Sequence, residues 1–328
     1  MHGVGDRRAL SIGVSRFGPG AEPEEEGLPA AFDALPFAPD RARAVAEIMG
    51  RFGYDSAALD KVDELAAASL SGGIWNAARA AGRDGVLVVH VISHGIVTRS
   101  GALFAVGADG CHHPLTDVGR WLQDVADFEH HPRTLFLLDL CHAGTAARLP
   151  WQPALADGTG RAWVIAACGP SEGAFNGRFS EAVVNVLRAF ADREIAIDPA
   201  RRHIPLATVA REIRREVKRL AEADGALPQE VTGSLVDISV DPPSLPFFPN
   251  PGFLESPRTR VRPQVDVGVA PSWTTSTRPS TRAISWSGRP ATARSPAGPA
   301  LAASAAGGGS CRSSPPGWTA TTRCRCAW

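Results

Sequence analysis

The run Val86-Leu87-Val88-Val89-His90-Val91-Ile92 is apolar at six of its seven positions and lacks the in-out alternation of a strand with one wet face. Such a segment is covered on both sides, which implies a central strand of a mainly parallel sheet with helices above and below. Two more runs share the pattern: Thr134-Leu135-Phe136-Leu137-Leu138-Asp139-Leu140 and Ala162-Trp163-Val164-Ile165-Ala166-Ala167. Strands are also expected over Ala9 to Val14 and, shorter, over Ser56 to Leu59, with a short apolar stretch at Leu103 to Val106 and a half-exposed strand at Ser234 to Val240. Helical spacing fills the intervals. Val45, Ile48, Met49 and Phe52 recur at i, i+3, i+4, i+7 within Asp40 to Phe52, and Gly53 stands at the stop position. Val62 to Ala81, interrupted by Gly72 and Gly73, reads as one or two helices, and Leu115 to Val125, Phe179 to Phe190 and Thr208 to Ala223 read as one each. The expected fold is a three-layer α/β domain with a sheet of about six mostly parallel strands.

The domain is expected to span residues 1 to 246, and residues 247 to 328 form a low-complexity tail. After Val269 only Ile284 and Leu301 are aliphatic residues larger than Ala, so no core can be built there and disorder is expected. Four Trp and three Cys scattered among Arg, Pro and Ala beyond residue 270 also suit an out-of-frame translation, in which a C-terminal partner domain has been lost. Residues 271 to 328 hold seven Arg and no acid, so residues 1 to 270 carry 27 basic side chains against 34 acidic ones. That acidic balance argues against a nucleic-acid groove. Cys111, Cys141 and Cys168 are far apart with no CxxC spacing, as in a reducing compartment. No leader pattern opens the chain and no 18-residue apolar run occurs in it, so the expectation is a cytoplasmic protein with no membrane partner.

Open parallel sheets present ligand-binding residues at the carboxyl ends of their strands, and two strand ends here carry chemistry. Val86 to Ile92 ends in Ser93-His94-Gly95, and Thr134 to Leu140 ends in Cys141-His142-Ala143-Gly144. A thiol beside a histidine that can take its proton, with backbone N–H groups to hold an oxyanion, makes a cysteine peptidase acting on a protein or peptide substrate. His94 is the expected base and Cys141 the nucleophile. Gly95 admits close approach of substrate and offers an N–H beside that of Cys141, and Gly144 permits the turn after the nucleophile. Asp139, two residues before Cys141, shares its face if strand geometry continues. His142 points away. The rival constellation is a zinc site drawn from Cys111, His112, His113, Cys141 and His142, but C-x2-C and H-x3-5-H spacings are missing, and no metal is expected. A nucleotide site fails for want of GxGxxG or GxxxxGK[ST] after the first strand.

These two motifs resemble those of the caspase-like peptidases, particularly bacterial metacaspase relatives, over about residues 7 to 240. In that family the motifs read approximately S-G-H-G and D-x-C-[HY]-[SA]-G, and the His-to-Cys interval here is 47 positions, near the roughly 50 of caspases. The departures are Ile92-Ser93 before the His and Asp139-Leu140 where animal caspases have Gln-Ala. The resemblance implies the caspase-hemoglobinase fold, a His94/Cys141 dyad that requires no cofactor, and a substrate pocket lined by acids. Asp139 supplies one acid. The second, from an Asn-Asp-Ala-like motif after the first strand, corresponds to Asp40-Arg41-Ala42 and is displaced by one position. Acids in the pocket favour cleavage after Arg or Lys over cleavage after Asp, with Arg148 and Arg161 as candidate self-cleavage sites. No D-x-[DN]-x-[DN]-G loop for calcium is present. The alternative function is a catalytically inactive caspase-like module used for interaction or regulation.

Overall fold

The computed structural model describes residues 6–19, 32–61, 65–127, 130–148, 161–169, 173–174, 176–227, 229–233 and 245–254. Its main sheet has six strands: β1 (Arg7–Gly13), β2 (Asp55–Leu59), β3 (Val86–Ile92), β6 (Arg133–Asp139), β7 (Ala162–Ala166) and β8 (Thr232–Gly233), in the order β2-β1-β3-β6-β7-β8. The first five are mutually parallel and β8 runs antiparallel to β7. A separate hairpin pairs β4 (Gly95–Val97) with β5 (Leu103–Ala105). The three long apolar runs are β3, β6 and β7, and every residue of β3 and β7 is buried.

Among the described residues five helices cover the sheet. α1 (Ala38–Arg51), α4 (Arg178–Ala191) and α5 (Leu206–Ala223) pack on the face formed by Val86, Val88, Leu135, Leu137, Trp163 and Ile165. α2 (Ala67–Ala81) and α3 (Val118–Asp127) cover Leu87, Val89, Phe136, Leu138 and Val164 on the other. The four residues spaced for a helix, Val45, Ile48 and Met49 in α1 and Phe52 at its C-cap, are all at most 5% exposed. Gly72 and Gly73 do not interrupt α2: a Cβ on Gly73 would stand 2.9 Å from the Leu59 side chain, so the glycine lets the helix close on β2. The helix expected from Leu115 begins later, because Pro114 starts a separate 3-10 turn over Pro114–Thr116 that the His113 side chain caps.

The core runs past the boundary expected at residue 246. Phe247 and Phe248 are each 1% exposed and pack on Trp163 and Phe52, with ring centroids 5.2 and 5.8 Å apart. Backbone bonds tie the segment down: Arg7 Nη1 donates to the Pro246 carbonyl at 2.7 Å, and Ile204 N–H donates to that of Phe248 at 2.8 Å. The strand expected over Ser234 to Val240, and the tail with its partner domain and frame change after about 270, lie outside the described residues. Among the described residues no helix is long and apolar enough to cross a membrane, and Cys111, Cys141 and Cys168 are not joined in disulfides.

Candidate active site

The order of strands reverses direction between β1 and β3, leaving a crevice at their carboxyl ends. In the β3–β6 ladder Ile92 is paired with Asp139, and Ser93 N–H donates to the Asp139 carbonyl at 3.4 Å. His94 and Cys141 therefore each lie two residues beyond the last paired position of adjacent strands. The two backbones meet at the next residue: a Cβ on Gly95 would run into the Cys141 carbonyl oxygen. The chain's own Cys141 segment thus requires the glycine, a reason separate from the close approach of substrate expected from sequence. In the hairpin Val106 N–H donates to the His94 carbonyl at 3.0 Å, and pairs of an antiparallel ladder alternate between bonded and unbonded. The next pair, Gly95 with Ala105, is the unbonded kind, so the Gly95 N–H points out of the hairpin.

His94 is held by a backbone group that no side-chain pattern announces. Its Nε2 donates to the Asp33 carbonyl at 2.8 Å, which leaves Nδ1 with the lone pair of a base. The ring packs against Phe17 and Phe32, centroids 4.7 and 5.1 Å away, and the residue is 9% exposed. This burial lowers the His94 pKa from its ordinary value, against the opposing pull of the Asp33 carbonyl and charge. The shift favours the neutral imidazole, the form a general base needs.

Cys141 is half-buried at the start of a tight turn. The left-handed residue of that turn is His142, with φ 61°, and not Gly144, which is absent from the positive-φ positions. Thr145 N–H closes it on the His142 carbonyl at 2.9 Å, and a 3-10 segment, Ala143–Arg148, follows. A histidine in this region is an uncommon, strained conformer of the kind found at functional turns. Cys168, on the neighbouring strand end, is a core thiol. Its S–H donates to the Leu140 carbonyl at 3.1 Å, and burial pushes its pKa up to about 12 although the backbone N–H groups of Ala143, Gly144 and His142 oppose the shift.

The two expected pocket acids part company. Asp139 is 3% exposed, and its Oδ2 accepts from Ser180 Oγ at 2.5 Å and Ser180 N–H at 3.1 Å. Burial raises its pKa to about 6, opposed by the Ser180 bonds and the charge of Arg41. Asp40 does not reach the site: its side chain is 81% exposed on the outer side of α1 and pairs with Arg43. Arg41, one position on, is paired with Glu181 of α4, so its charge is partly cancelled. Sequence reasoning missed Glu181, Ser180, Asp33 and both aromatic neighbours of His94. It also read His90 only as a strand residue, whereas His90 is fully buried between Ser11 and Ser180.

Three residues of the rival zinc constellation make other contacts. His113 accepts from Leu115 N–H, His112 packs edge-on against Phe104, and the Cys111 thiol donates to the Asp109 carbonyl. Among the described residues no three His, Cys, Asp or Glu side chains are grouped to hold a metal. Arg161 is not an exposed loop residue: its guanidinium donates to the His131 and Arg83 carbonyls and its own carbonyl accepts from Thr134 N–H in the sheet.

No protein-family model matches the chain, and no curated protein matches it. Among solved structures, caspase-1 from Spodoptera frugiperda is similar with a TM-score of 0.45 and 12% identity, over 70% of this chain and 85% of that one. The pro-sf-caspase-1 structure is similar with a TM-score of 0.44 and 14% identity, over 70% of this chain and 87% of that one.

Proposed function

We propose that this chain is a cysteine endopeptidase of the caspase-like type, in which Cys141 is the nucleophile and His94 its general base. The observation that carries this reading is the pairing of two features at one sheet edge. His94 is fixed by the Asp33 carbonyl in the tautomer that leaves Nδ1 basic, and the residue after it abuts the backbone of Cys141. In the mechanism Nδ1 takes the Cys141 thiol proton and the thiolate attacks the scissile carbonyl carbon. The oxyanion is received by the N–H groups of Gly95 and Cys141. His94 then returns the proton to the leaving amine, and water, deprotonated by the same imidazole, hydrolyses the thioester to free acid and thiol. None of these steps requires a cofactor.

Cleavage after Arg or Lys fits the placement of Asp139. Both Ser180 bonds fall on Oδ2, so Oδ1 is the oxygen that receives a substrate cation, and the charge of Arg41 is partly cancelled by its pairing with Glu181. Asp40, paired with Arg43 in solvent, is dropped from the pocket. The test is hydrolysis of a peptide library varied at the cleaved position, together with an electrophilic peptide probe mapped by mass spectrometry. Labelling at Cys141 and loss of about a thousandfold or more in kcat/KM for Cys141→Ala and for His94→Ala, with the double variant no worse, is expected. An unlabelled Cys141 and an inert wild type would establish the inactive module instead.

A further inference from the structure

A chain of side-chain hydrogen bonds lies beneath the site, and the peptidase chemistry does not use it. Ser11 Oγ is 2.7 Å from His90 Nδ1, His90 Nε2 is 2.8 Å from Ser180 Oγ, and Ser180 Oγ is 2.5 Å from Asp139 Oδ2. The four residues come from β1, β3, α4 and β6, and none is more than 3% exposed. Polar groups this deep are costly unless each is bonded, and here each is.

The protons of the chain can run only one way while Asp139 is ionised. The carboxylate accepts only, so the single Ser180 hydroxyl proton goes to Oδ2. Ser180 Oγ must then accept from His90 Nε2–H, which leaves Nδ1 to accept from the Ser11 hydroxyl. Burial holds His90 neutral, with its pKa near 3, as this arrangement needs. The other charged or titratable groups facing the carboxylate are Arg41 of α1, itself paired with Glu181 of α4, and the Cys168 thiol beside β7.

We infer that Ser180 and His90 are positioning residues for substrate selection: the chain clamps Oδ2 of Asp139 and so presents Oδ1 to a cationic side chain next to Cys141. The inference rests on the reading of Asp139 as the pocket acid. A chain that served only as polar cement between layers would not affect how the enzyme tells a cation from a neutral side chain of the same shape.

The experiment compares kcat/KM for two peptides that differ only in Arg or citrulline at the cleaved position, between pH 5 and 8, with a carboxyl-carbon NMR titration of Asp139 in the same proteins. In the wild type the Arg-to-citrulline ratio is expected to fall as pH drops through the Asp139 titration. Ser180→Ala is expected to lower the ratio at pH 7.5 by about tenfold, the worth of one good hydrogen bond to a charged group, and to move the titration upward. Because removing a buried hydroxyl also loosens packing, the ratio is taken within each variant. Ser180→Thr, which returns the hydroxyl, is expected to restore both readouts, and His90→Phe to lower the ratio. A wild-type ratio in Ser180→Ala, with hydrolysis intact, overturns the inference and leaves the peptidase reading standing. A wild type that cleaves both peptides equally removes Asp139 from the pocket and this role with it. A wild type that cleaves neither overturns the peptidase reading itself, whatever the titration shows.

Discussion

Gly95 is the residue at which the His94 and Cys141 segments touch, and its missing side chain is what permits the contact. Gly95→Ala forces the Cys141 carbonyl or the hairpin to move, and backbone cannot yield as the end of a long side chain does. Its expected cost is about 1–3 kcal/mol of stability, read from the urea midpoint, and roughly a hundredfold or more in kcat/KM, since small displacements at a reacting centre are amplified. A fully active Gly95→Ala would show that the contact does not position Cys141. Phe17 and Phe32 exert their influence on His94 by excluding water, which lowers its pKa. The acid limb of kcat/KM on the citrulline peptide is therefore expected below pH 6.5, and Phe17→Ala is expected to bring it back toward that value; a limb indifferent to Phe17→Ala would exclude burial as the cause. The placement of His94 and Cys141 beyond the ends of adjacent strands was legible in sequence because each follows an apolar run and precedes small residues. Asp33 was not, since it contributes a carbonyl, a group every residue has, and neither was the left-handed turn at His142, whose side chain gives no sign of its φ.

The segment after β8 is the element whose importance composition concealed. Phe247 and Phe248 fall in the segment that the sequence reading assigned to the tail, yet they close the face formed by Trp163, Phe52 and Tyr54. Phe248→Ala is expected to destabilise the protein by about 3–5 kcal/mol, as for other fully buried aromatics, and a chain ended at 246 to do the same or worse. A chain ended at 254 is expected to keep the full chain's unfolding midpoint; equal stability of the 246 and 254 truncations would show that these aromatics add nothing. Strands β3, β6 and β7 were legible because burial on both faces leaves a continuous apolar run, and α1 because its apolar stripe has helical spacing. The hairpin of β4 and β5 was missed because three-residue strands are too short to show a period, although the Leu103 to Val106 stretch marked one of them. The Ser11, His90, Ser180 and Asp139 chain was missed for another reason: its members are up to 169 positions apart and only the packing of α4 on the sheet brings them together.

Over the whole molecule, two buried groups make opposite demands on acid stability. His90 stays neutral when folded, its pKa moved from 6.5 to about 3, so below pH 6.5 the unfolded chain binds a proton the folded one refuses and stability falls with pH until about 3. Asp139 moves from 3.8 to about 6, so between those values the folded chain holds a proton the unfolded one has released, and stability rises as pH falls. The two slopes offset each other across that window, while the lowered pKa values of His94 and of His203, the latter near 4, add to the His90 side. Asp139→Asn is expected to steepen the loss of stability between pH 6 and 4 by about 1.4 kcal/mol per pH unit, measured by urea unfolding at fixed ionic strength. An unchanged slope would mean that Asp139 titrates alike in both states. The bond from Arg7 in the first strand to the Pro246 carbonyl has a further consequence for the order in which the core closes. A ribosome delivers this chain from its N-terminus, so β1 waits, unclosed along that face, until more than two hundred further residues have emerged. Cys141 leaves the ribosome about a hundred residues before the segment that seals its domain. A chain built this way keeps that face of its sheet open while it is being made, and the aromatics that close it are among the last core residues to appear.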